Sequence, residues 1–141
     1  MPDPIHPASS AVMAVAASAL RAQQARMRII AENLANADST SRTPGGDPYR
    51  RNVPVFEPTT VEGGAEGVRM SRVAPDPTAF RSTYNPGHPA ADAQGYVHLP
   101  NVDPLVEALD MREAQRAYEA NLNVIDTARA MDMRTLDLLK K

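Results

Sequence analysis

Glycine and proline divide this chain into three parts. All seven glycines lie between Gly45 and Gly95, ten of the thirteen prolines lie between Pro44 and Pro104, and the other three are Pro2, Pro4 and Pro7. From Ala8 to Thr43, and again from Leu105 to Lys141, there is neither residue. Gly raises the backbone entropy a helix must overcome, and Pro removes an N–H and clashes with the preceding turn. The chain therefore reads as helix, long irregular middle, helix, which makes it mainly α.

The first helix is expected to start at Ser9 or Ser10, either a good N-cap, and to run to about Ala35. Met13, Leu20, Met27 and Leu34 recur every seven residues, with Ala16, Ala17, Ile30 and Ala31 beside them, a heptad-like apolar stripe. The many alanines around it permit close helix approach. The second helix has a clear start. Asp103 can cap it, and Pro104 suits the first turn, where its missing N–H has no intrahelical partner. Met111, Ala114, Tyr118, Leu122, Ile125, Ala128, Leu136 and Leu139 are expected to form its stripe. At 1.5 Å per residue the helices would be roughly 40 and 55 Å long. A hairpin of two helices this rich in alanine is a weak core, and aromatic residues are only 4% of the chain. The apolar surface left over needs other subunits.

Between the helices, Asn52 to Pro58 (NVPVFEP) and Gly67 to Ala74 (GVRMSRVA) have the β-branched, partly alternating pattern of strands. Pro54, Pro75 and Pro77 would confine them to edges or strand ends. The stretch TYNPGHPAADAQGYVHLPNVDP reads as a turn-rich connector, with Asn85-Pro86-Gly87 its clearest turn. Some sixty residues with so little regular structure point to a functional segment, or one ordered by a partner.

Little in the chain supports catalysis. There are no cysteines, which excludes disulfides, thiolate metal sites and a cysteine nucleophile. His6, His88 and His98 do not pair at helical metal-ligand spacing, and no phosphate loop, nucleophile elbow or geometrically defined carboxylate pair is present. No cofactor is expected. The formal net charge of -2, with mixed signs, gives no nucleic-acid-binding surface. Ala11 to Leu20 could pass for the apolar part of a secretory signal, but MPDPIHPASS before it has no Lys or Arg, and no apolar run is long enough to span a bilayer.

Asn33 and Asn36, one turn apart where the first helix ends, are better candidates for function. One reading is a C-terminal cap, in which Asn tolerates left-handed backbone and satisfies free carbonyls. The other adds hydrogen bonds between helices or subunits. The two are compatible.

ENLANADST at this point resembles the Asn-Leu-Ala-Asn signature of the flagellar axial proteins, the rod, hook and hook-associated components. TPGGDPYRR, YNPGHPAADAQGYVHLPNVDP and AQRAYEANLNVIDTARAMDMRTLDLL resemble the proximal-rod members of that family, over nearly the whole chain. The resemblance implies an antiparallel, coiled-coil-like axial core domain made by residues 1–36 and 104–141, with residues 37–103 as an extended or β-hairpin bridge. It implies a structural rod subunit that assembles helically with itself and other rod proteins, transmits torque and encloses the export channel. It also implies passage through the flagellar type III export apparatus without a cleaved signal, to a rod crossing the periplasm.

On this reading Met13, Leu20, Met27, Ile30 and Leu34 face Tyr118, Leu122, Ile125, Leu136 and Leu139 at helix and subunit interfaces. Asn33 and Asn36 act at the junction of core and bridge. Two other functions fit the same residues. A distal-rod or hook-type subunit would need a further domain between the helices, for which sixty-odd residues leave little room. A small helical export chaperone or adaptor would be a compact monomer.

Overall fold

The computed structural model describes residues 7–140. It contains two long helices packed together, α1 (Pro7–Ala35) and α2 (Pro104–Leu139), and four strands between them, β1 (Asn52–Thr60), β2 (Glu66–Pro75), β3 (Arg81–Tyr84) and β4 (Tyr96–Leu99). The strands form two separate two-stranded sheets, β1-β2 and β3-β4. The protein is mainly helical, as expected from its glycines and prolines. No helix among the described residues is long and apolar enough to cross a membrane.

The chain divides into two compact units, each assembled from distant stretches of sequence. The first takes α1 up to Arg26, Val55 to Arg72 from the β1-β2 hairpin, and α2 from Glu113. Here Arg26 donates to Glu113 at 3.4 Å, while Val12 and Val15 line a pocket with Asn121 and Val124. Residues earlier in α1 thus meet residues later in α2, which makes the pair antiparallel. The fully buried positions of this unit are Ala16, Ser18, Ala22, Ala114 and Ala128, all of them small. The helices close on one another where side chains are short. The hairpin is tied to α1 by Ser18, whose Oγ accepts from the Val68 N–H at 3.2 Å and donates to the Val15 carbonyl at 2.7 Å. Its turn uses Gly63 and Gly64, with φ +85° and +79°, values that a side chain would make costly.

The second unit comprises Met27 to Pro54 and Val73 to Arg112. Its interior contains larger apolar groups, Ile29, Ile30, Val97 and Val102, together with two buried polar side chains, Asn33 and Glu107. β3 and β4 are antiparallel, pairing Arg81 with Leu99 and Tyr84 with Tyr96. The two tyrosine rings meet edge to face, 5.4 Å apart. Gly95 sits just before β4 with φ +87°, and a Cβ there would lie 2.9 Å from the Tyr84 ring.

The segment expected to be only a turn-rich connector therefore contains a hairpin. Its turn is where the sequence places it, with the His88 N–H donating to the Asn85 carbonyl at 3.1 Å. The strands escape a sequence reading because they are four residues long and flanked by proline and glycine, and they count as strands only once paired.

On α2 the buried and half-buried positions are Glu107, Asp110, Met111, Ala114, Ala117, Tyr118, Asn121, Ile125, Ala128, Asp132 and Thr135. Met111, Ala114, Tyr118, Ile125 and Ala128 match the expected stripe. Of the other residues expected there, Leu122, Leu136 and Leu139 are 41%, 43% and 61% exposed. Leu122 projects from the flank of a face that alanines bring close to α1.

Candidate functional site

The helix ends make the most structured polar site of the second unit. α1 finishes in a turn at Asn36 to Asp38, and the chain returns to begin β1 at Asn52. Asn33, 1% exposed, holds that return. Its Nδ2 donates to the Asn52 carbonyl at 2.9 Å, and its Oδ1 accepts from the Asn52 N–H at 3.0 Å and from the Tyr49 hydroxyl at 2.8 Å. A primary amide presents a donor and an acceptor side by side, so it pairs with one residue's N–H and C=O much as a neighbouring strand would. Burial, and then the nearby charge of Glu32, push the Tyr49 phenol up, which keeps it a donor.

Asn36 does something different. Its Nδ2 donates to the Glu32 carbonyl at 2.9 Å, and its own carbonyl accepts from the Ser39 N–H and hydroxyl. It does cap the helix, but not through left-handed backbone, because no non-glycine residue among those described has a positive φ. The side chain, rather than an unusual φ, does the capping, adding a second donor to the Glu32 carbonyl, which already accepts the Asn36 N–H at 3.1 Å.

Beside Asn33 stands a group that the sequence does not mark. The Arg51 guanidinium donates through Nε to Glu107 Oε1 and through Nη1 to Asp76 Oδ2 at 3.2 Å, and its Nη2 lies 3.6 Å from Asp110 Oδ2. Burial by itself would lower this guanidinium, but Glu107 and then Asp76 hold it above its ordinary value. The Asp76 carboxyl is held below the usual range, first by the Thr78 N–H at 2.9 Å and the Thr78 side chain; burial opposes them, and Arg51 adds a lesser lowering. Glu107 is fully buried on the first turn of α2, and its Oε2 has no partner among the described residues.

Around this ion cluster the backbone is tied at several points. The Arg51 N–H donates to Asn101 Oδ1 at 2.7 Å, and Asn101 Nδ2 donates to the Asp76 and Thr78 carbonyls at 3.1 Å each. Arg50 donates to the same two carbonyls and lies over the Phe80 ring, 4.1 Å from its centre. Arg81 bridges the Pro100 and Ala37 carbonyls, both at 3.0 Å. At the start of α2, Asp103 Oδ1 accepts from the Leu105 N–H at 3.0 Å, the cap expected from the sequence.

The arrangement sets the directions of chain segments and offers no obvious reaction. Its acids and bases are paired with one another and with backbone groups, Glu107 Oε2 excepted. His88 Nδ1 accepts from the Ala90 N–H at 3.0 Å, and no group of three or more candidate metal ligands exists among the described residues. Of the sequence-derived site residues, Ile30 and Asn33 are buried, and Met13, Leu20, Met27, Leu34, Asn36, Tyr118 and Ile125 are half-buried. Arg51, Asp76, Asn101 and Glu107 were missed. Glu107 alone carried a signal, as an acidic residue on the otherwise expected inward face of α2.

Two long helices whose ends are tied by a polar, backbone-anchoring junction form a structural scaffold, and comparison with known proteins supplies the class, flagellar rod proteins. The family described as "Flagella basal body rod protein" matches residues 13–42, and "Flagellar basal body rod FlgEFG protein C-terminal" matches residues 93–138. The chain is 47% identical to the flagellar basal-body rod protein FlgC of Agrobacterium fabrum, over 93% of this chain and 95% of that one. To the FlgC proteins of Escherichia coli O157:H7 and Bacillus subtilis it is 42% and 36% identical, covering 88% and 89% of this chain and 92% and 95% of those. The chain belongs to the flagellar basal-body rod protein FlgC family and is a structural rod subunit.

Proposed function

We propose that this chain is a proximal-rod subunit that assembles helically with further copies of itself and with other rod subunits. Residues 1–36 and 104–141, of which 1–6 and 141 lie outside the described residues, serve as the axial core, and residues 37–103 bridge to neighbours. The assembled rod transmits motor torque and encloses the export channel across the periplasm. The subunit reaches it unfolded through the type III export apparatus, without losing a signal peptide. Modest cores and the absence of cysteine suit that route.

The observation that carries this reading is the distribution of apolar side chains on α2. Leu122 and Met133 lie on one flank of the packed face and Val124, Met131 and Leu138 on the other, all exposed. A helix apolar over so much of its circumference is built to be surrounded. Met13, Leu20, Met27, Ile30 and Leu34, with Tyr118 and Ile125, then hold the subunit's own helix pair, while Leu122, Leu136 and Leu139 face neighbours. Asn33 and Asn36 fix where the chain leaves the axis.

Leu122→Asp tests it. Because Leu122 is exposed in the subunit, the variant is expected to be made and to fold, yet to be missing from purified basal bodies of non-motile cells. Motile cells carrying the variant in their rods would overturn the assignment.

A further inference from the structure

Within the first unit, an apolar pocket of about 270 Å³ opens between the helices, walled by Val12 and Val15 of α1, Ala65 of the hairpin turn, and Asn121 and Val124 of α2. Among the described residues Asn121 is the one polar residue of the lining, and its Nδ2 donates to the Ala117 carbonyl at 2.8 Å. The pocket suits an apolar side chain.

We infer that its occupant is Leu138 of a second copy of this chain, so that the end of one α2 docks between the helices of the next subunit. The inference rests on the reading of the chain as a self-assembling rod subunit and names the contact. Val124, Met131 and Leu138 recur every seven residues along a face of α2 distinct from the packed one, and Val124 is also a wall of the pocket. Met131 and Leu138 are 62% and 76% exposed. An apolar track therefore starts at the pocket and ends at an exposed leucine. The charges are complementary as well. Exposed Arg134 lies one turn before Leu138 on the same side of α2, and Lys140 follows it, whereas exposed Glu62 and Glu66 flank the Ala65 wall.

Leu138 cannot fill its own pocket. It lies fourteen residues beyond Val124, about 21 Å along the helix axis. Knob and hole thus sit at different places on one chain, and pairing them between copies gives a heterologous contact that propagates instead of closing on itself. Such a contact produces a rod.

The chain has no cysteine, so a disulfide can report the contact without background. Val12→Cys and Leu138→Cys would be introduced singly and together, and basal bodies from each strain oxidised mildly and run on non-reducing gels. The double variant is expected to give a ladder of dimer, trimer and longer species, and each single variant only monomer. Leu138→Met should retain rod incorporation, and Leu138→Asp should lose it while the purified subunit keeps its helical circular dichroism. Basal bodies that contain the double variant but no crosslinked species would overturn this contact and leave the rod reading standing. A dimer band without higher species would overturn its propagating geometry. Absence of the unaltered subunit from basal bodies would overturn the rod reading itself.

Discussion

Replacing Asn33 with alanine removes three hydrogen bonds at once, two to the backbone of Asn52 and one from Tyr49. A typical net contribution is about 1 kcal/mol per bond, and a buried group left without a partner costs about 1–3 kcal/mol. Asn33 is almost wholly buried, but Asn52 and Tyr49 are half-buried, so water can recover part of the loss. The expected destabilisation is about 3 kcal/mol, a large share of the roughly 5–15 kcal/mol available to a small domain. With an m-value of about 2 kcal/mol/M, the urea midpoint of the purified subunit should fall by about 1–2 M, with the slope unchanged. Tyr49→Phe deletes the hydroxyl's bond to Asn33 and the longer one it accepts from Asn52 Nδ2 at 3.4 Å, but spares the Asn33 amide's pairing with the Asn52 backbone, so it should cost about 1–2 kcal/mol. Asn33→Asp should be no better than alanine, because it sets a carboxylate against the Asn52 carbonyl and loses the donor. An alanine variant within about 0.5 kcal/mol of wild type would refute the idea that this amide substitutes for a strand partner.

Arg51→Ala leaves the fully buried Glu107 without its cation, and breaking such a pair costs about 3–5 kcal/mol; adding Glu107→Gln should restore part of the loss in the same urea assay. Asp76, held below the usual carboxylate range, stabilises the fold at neutral pH, and that contribution should fade as pH drops below about 4 and vanish below its folded value. Asp76→Asn should therefore flatten the acid limb of the stability curve, and superimposable curves would count against the hydrogen bonds from Thr78 that hold this carboxyl charged. Asn36→Ala, which removes one partly exposed helix-end bond, should cost about 0.5–1 kcal/mol by thermal unfolding. Asn36→Gly should rescue none of it, since the backbone there is not left-handed; a clear rescue by glycine would contradict the capping geometry.

The helix positions and the start of α2 were legible because local chemistry decides them. Where glycine and proline are absent for thirty-odd residues, helix is the low-energy backbone, and Asp103 with Pro104 caps α2 whatever packs against it. The cap at Asn36 is local too, and only its geometry differed. Which face of α2 packs inward was legible in part. Hydrophobicity favours Leu122, Leu136 and Leu139, but the helices approach closest along Ala114 and Ala128, and the larger side chains beside that line are left projecting. The β3-β4 hairpin was hidden because residues 81–84 and 96–99 gain their strand geometry from one another and not from propensity. The junction was the least legible of all. Asn33 finds its partner nineteen residues along the chain, and Arg51 gathers carboxylates from positions 76, 107 and 110, spacings that match no local period. Coulombic attraction and hydrogen bonding act over a few ångströms, so only the return of the chain to the end of α1 could bring those groups within reach.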